Sequence, residues 1–337
     1  MVRKNKIIYI IFILSAPLIM IKSIIWALVT GSAEKHNDAI NYYNGFIEAS
    51  NNLLELNLVW GYFGHFPEII LPIIYHLISY VYIPKNVEEM ILVNAIVFSV
   101  SITIALMLYL KRLSIKETGG LELYYASFIV ISSVIPPGLG MQLSRQAIAY
   151  ALILGIAGIT LKLSYRKQML FLVLITPLMH IGLLISTYLM ANLNGMRIKK
   201  IIILIAIILG LGMFDLINKT TGLSYKELAF SFESVVFSNK ILVAVLMLAL
   251  FYSIKTLKIK KNIIWVALIV EVFFIGYSSE YFTKRALFGL DFFILPVLLI
   301  YLFNKIDYKQ SFNKIFQASF FMFVLSNFGY LYLIMIG

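Results

Sequence analysis

The sequence has no cysteine, which excludes disulfides and thiolate metal sites. Its four histidines are scattered and do not form the clustered ligand set of a histidine metal site. Charged residues make up only 13% of the chain, against about 25% in ordinary globular proteins. Zinc, Walker, Rossmann and Ser-His-Asp signatures are missing, as are a fixed-period repeat and a low-complexity linker. The net charge of +12 does not point to nucleic acid, because the bases fall in short clusters between apolar runs and build no long solvated basic face.

What is abundant is apolar. Hydrophobic residues are 61% of the chain, mean hydropathy is +0.93, and Tyr (21) and Phe (25) are frequent enough for interfacial belts and bundle packing. Several apolar runs approach the roughly 20 residues that cross a bilayer as helix. The composition therefore predicts an all-α, polytopic integral membrane bundle forming one domain over 1–337. Spans are expected near 7–29, 90–110, 122–136, 145–163, 201–217, 241–257, 262–279, 286–303 and 315–336. The start, Arg3-Lys4-Asn5-Lys6 before the run Ile7 to Ile21, resembles a signal sequence and is read as a retained first helix.

Lysine and arginine bias sets the orientation. With the N-terminus inside, six clusters become cytoplasmic: Arg3/Lys4/Lys6, Lys111/Arg112/Lys116, Lys162/Arg166/Lys167, Arg197/Lys199/Lys200, Lys255/Lys258/Lys260/Lys261 and Lys305/Lys309/Lys314. They hold 19 of the 28 bases. The parity requires that two further apolar stretches make no net crossing. Stretch 68–84 carries Pro67, Pro72 and Pro84 at its edges and within it. Stretch 169–192 carries Pro177 and His180 at its middle. Partly inserted helices or re-entrant hairpins suit both, and a plain span kinked at Pro177 suits the second equally well. Two long outer loops result, 31–67 and 218–240.

Four of the six arginines lie in the cytoplasmic clusters; Arg145 and Arg285 do not. Both begin apolar segments on the outer side, where a guanidinium runs against the bias. An anionic substrate would account for them, because the planar fork grips phosphate or pyrophosphate. The alternatives are snorkelling to lipid headgroups or, for Arg285, an ion pair with Glu280 or Asp291. Around Arg145, Pro136-Pro137-Gly138-Leu139-Gly140 stops one helix and Ser144 offers an N-cap for the next, so free N–H groups and the helix dipole add to the anion site. Gln146 follows. His180, inside an apolar run, suits proton transfer or a hydrogen bond to a buried carbonyl. Asp38 and Tyr42 share a face if the first outer loop is helical there. Glu55, Glu68 and Glu280 are further outer carboxylates.

Asp38…Tyr42-Tyr43, then Arg145-Gln146-x-Ile148-Ala149, a basic turn, His180 after an apolar run and a late outer Arg285 occur in an order that resembles the EpsG/Wzy-type polysaccharide polymerases. The resemblance implies a GT-C-like membrane glycosyltransferase of about nine to eleven transmembrane or re-entrant helices, with a long first extracytoplasmic loop. It would act at the outer face of the bacterial plasma membrane without metal or other cofactor. Its donor and acceptor would be glycan repeat units on undecaprenyl diphosphate, with membrane lipids and a chain-length regulator protein as further partners. It places Arg145, His180, Arg285 and Asp38 in catalysis, and Gln146, Ser144, Tyr42, Tyr43, Glu280 and Tyr281 in substrate binding. An O-antigen ligase and a lipid-linked oligosaccharide flippase are the rivals. No internal repeat of the kind many transporters carry is visible, and the charged candidates gather at one face, which favours surface chemistry over alternating access.

Overall fold

The computed structural model describes residues 2–30, 37–51, 68–117, 122–135 and 144–180, with 183, 184 and 187. These are helical, with no strand among the described residues. The helices are α1 (Val2–Thr30), α2 (Asn37–Asn51), α3 (Ile70–Ser79), α4 (Val87–Glu117), α5 (Glu122–Val134), α6 (Ser144–Thr160) and α7 (Tyr165–Met179). Two stretches, Tyr9–Leu28 in α1 and Val87–Ile115 in α4, are long and apolar enough to cross a membrane. The expected spans 201–217, 241–257, 262–279, 286–303 and 315–336 and the loop 218–240 lie outside the described residues.

Side-chain contacts fix the helix directions. Ala27 of α1 packs with Ile91 and Ala95 of α4, so the end of α1 meets the beginning of α4. Phe12 stacks on Tyr124, Tyr125 and Phe128 of α5, and Lys22 reaches the Ser132 carbonyl, so α1 and α5 run parallel. Gly155 faces Ala105 and Gly158 faces Tyr109, so α6 runs parallel to α4. Gln168 near the start of α7 donates to the Ala157 carbonyl near the end of α6 at 3.1 Å. The first three basic clusters, around Arg3, Lys111 and Lys162, therefore gather at one end of the bundle, and Arg145 lies toward the other.

The stretch after the first loop folds back along α4. Tyr75 of α3 donates to Asn94 of α4 at 2.6 Å, and Tyr82 beyond α3 donates to Glu89 near the start of α4 at 2.6 Å. The two helices form an antiparallel hairpin. At ~1.5 Å per residue, Asn94 lies about 10 Å along α4 from Val87, and α3 starts deeper still. The hairpin turn is closed by a capping arrangement: Asn86 Oδ1 accepts the Glu89 N–H at 2.9 Å, and Glu89 accepts the Lys85 N–H at 2.7 Å. The exposed Tyr82 hydroxyl is held above its ordinary range because the Glu89 carboxylate accepts its proton.

Buried hydroxyls in these apolar helices bond back one turn, as Ser99 does to Ala95, Thr160 to Ile156 and Thr176 to Leu172. α6 approaches α4 closely at Gly158, where a Cβ would lie 2.8 Å from the Tyr109 backbone. Small residues permit such contacts in apolar bundles. Gly158→Ala must push α6 off α4 and is expected to cost about 1–3 kcal/mol. Gly155→Ala, whose Cβ would meet Ala105 at 3.6 Å, should be nearly neutral. Thermal unfolding of the purified chain in detergent checks the pair; equal transitions for both variants would contradict the packing.

Candidate functional site

Three helix ends meet around one carboxylate. The first is the end of α7. Pro177 supplies no N–H and crowds the preceding turn, and α7 stops at Met179, with His180 in extended backbone as its C-cap. The second is the start of α3: Ile69, its N-cap residue, donates its N–H to the Leu178 carbonyl at 3.0 Å, so an open α3 donor and an open α7 acceptor satisfy each other. The third is the start of α6, where the Arg145 N–H lies 3.5 Å from the Tyr42 hydroxyl of α2.

Glu68, one residue before the N-cap of α3, sits at the meeting point and is almost fully buried. Its Oε1 lies 2.8 Å from His180 Nδ1 and its Oε2 lies 3.4 Å from Arg145 Nε. The charges suit the helix ends. A carboxylate is favoured beside the N-termini of α3 and α6, whereas Arg145 opposes the dipole of α6 and needs an anion. The contact to His180 has the length of a charge-assisted hydrogen bond, roughly 2.7–2.9 Å, and that to Arg145 is a looser ion pair. A carboxylate at Nδ1 favours the tautomer protonated there, which places the basic lone pair on Nε2. Beneath the cluster, Tyr75 is fully buried on Asn94, and Gln146 is buried on α6.

The structure brings together Arg145 and His180, 35 positions apart in the sequence, with Tyr42 beside them. Tyr43 is engaged elsewhere, donating to the Lys85 carbonyl at 3.1 Å. Asp38 lies in the first turn of α2 and Ser144 opens α6. Arg285, Glu280 and Tyr281 lie outside the described residues. His76 ties α3 to α2 through the Ala49 carbonyl at 2.9 Å. Among the described residues no group of three His, Asp or Glu side chains could hold a metal ion.

Compared with family models, with curated proteins and with solved structures, the chain matches none. Its chemistry has to be read from its own residues, and two of those that matter are not prominent in the sequence. Glu68 is one outer carboxylate among several, marked only by standing between Pro67 and an apolar run. Lys22 lies inside the first span and donates to the Ser132 carbonyl at 3.1 Å; a cation amid an otherwise uncharged apolar run was its signal.

Proposed function

We propose that this chain is a polytopic, GT-C-like glycosyltransferase of the bacterial plasma membrane that polymerises undecaprenyl-diphosphate-linked oligosaccharide repeat units at the outer face. The observation that carries it is the convergence of Arg145 and His180 on Glu68, in the half of the bundle away from the first three basic clusters. The guanidinium and the α6 N-terminus suit a diphosphate, and the imidazole suits the proton of an attacking hydroxyl.

In this reading a hydroxyl oxygen of the acceptor repeat unit attacks the anomeric carbon of the donor glycan. The bond from that carbon to the diphosphate oxygen breaks, and its electron pair leaves with undecaprenyl diphosphate. Arg145, joined by Arg285, stabilises the charge that develops on the leaving group. His180 Nε2 takes the hydroxyl proton. In the same reading Asp38 acts with them in catalysis, and Tyr42, Ser144, Glu280 and Tyr281 bind the glycan.

Deleting the gene in its host distinguishes the three readings. Loss of a polymerase leaves glycans one repeat unit long. Loss of a ligase leaves full-length polymer on undecaprenyl diphosphate, and loss of a flippase leaves repeat units on the cytoplasmic side. Orientation has its own check. In single-cysteine variants of this cysteine-free chain, a membrane-impermeant thiol reagent applied outside should label position 145 and not position 111; the reverse pattern would overturn the assigned face.

A further inference from the structure

The site contains a charge that an anion-binding centre does not obviously want. Glu68 lies against Arg145, yet a diphosphate at Arg145 would meet its repulsion. Exposure resolves who stands where. The Glu68 side chain is 2% exposed, while those of Arg145 and His180 keep 14% and 11%. A ligand from the open side meets Arg145 and His180 first, with Glu68 behind both. Extending the diphosphate reading above, we propose that Glu68 is a positioning residue that tempers Arg145, so that undecaprenyl diphosphate can leave after transfer, and that holds the His180 ring with Nε2 toward the acceptor hydroxyl.

The unequal contacts of one carboxylate fit these two tasks. The tight contact at 2.8 Å fixes a ring orientation, and the looser one at 3.4 Å offsets the guanidinium's charge. A lone Arg145 at a helix N-terminus would bind a diphosphate before and after transfer alike. Such uniform binding lowers KM without raising kcat, and it slows product release.

The test is calorimetric titration of the purified full-length chain in detergent with inorganic pyrophosphate, beside steady-state kinetics on its lipid-linked repeat units. Glu68→Gln keeps the size and removes the charge. It should bind pyrophosphate at least about tenfold more tightly, within what a unit charge a few ångströms away supplies, and should lower kcat and KM together. Arg145→Gln should abolish the titration in either background. A merely structural Glu68 would instead weaken binding when replaced. Weaker or unchanged binding in a folded Glu68→Gln chain overturns the proposal and leaves the diphosphate reading standing. No pyrophosphate binding by wild type and variant alike overturns both. Should Glu68→Gln not fold, Glu68→Asp withdraws the charge by one methylene; it should tighten binding a few-fold, and unchanged or weaker binding would sink the idea.

Discussion

An Arg145→Ala chain, expressed at the wild-type level, should leave its host's glycan at a single repeat unit. The guanidinium sits at the α6 N-terminus, where it adds a formal charge to the helix dipole and can fork onto a diphosphate. Removing one preorganised donor to a developing anion costs about 2.7–4 kcal/mol, or roughly 10²–10³ in rate. Chain length amplifies that loss, because each added unit is a separate transfer. Arg145→Lys should restore little, since a point charge lacks the fork. The glycan ladder on a gel reads the result. A full-length ladder from Arg145→Ala would remove Arg145 from the chemistry.

The second large effect is on stability, at a residue distant in sequence from the site. Lys22 should be worth about 1–3 kcal/mol, the cost of leaving a buried acceptor unsatisfied. The cause is local. In a continuing helix the Ser132 carbonyl would accept the N–H of residue 136, but residue 136 is proline and has none. Lys22 Nζ supplies the missing donor to the last turn of α5. Lys22→Met should therefore lower the unfolding transition of the detergent-purified chain. In a Pro136→Ala background, where a backbone N–H returns, the same change should cost about 1 kcal/mol less. An identical cost in both backgrounds would show that Lys22 does not act as the cap of α5.

Much of the bundle is legible in the sequence because apolar runs and basic clusters are local signals. The spans 7–29 and 90–110 fall within α1 and α4, Pro136-Pro137 precedes the helix that carries Arg145, and the stretch with three prolines holds only the short helix α3. Pro177 lies in the last turn of α7, and His180 caps that helix. α2 is harder. Its Asn, Tyr and Glu content reads as outer loop, yet Ala39, Tyr42, Phe46 and Ala49 fall at helical spacing and all four are buried. Glu68 is not legible as a centre, since its burial and its two partners come from helices that arrive later in the chain. The role of Lys22 depends on a carbonyl 110 residues away and on the proline that follows it. Arg145 and His180 stand out for the opposite reason: polar groups are costly in apolar surroundings and so are rarely there without a task.

The central claim is glycosyl transfer from a lipid diphosphate without a metal. Its most direct measurement uses the purified chain in lipid nanodiscs, supplied with its host's undecaprenyl-diphosphate-linked repeat units in excess EDTA. The account predicts glycans many units long on a single undecaprenyl diphosphate, with one undecaprenyl diphosphate released for each bond formed. Repeat units that remain monomeric in the presence of folded chain, or that lengthen only when a divalent cation is restored, would contradict it.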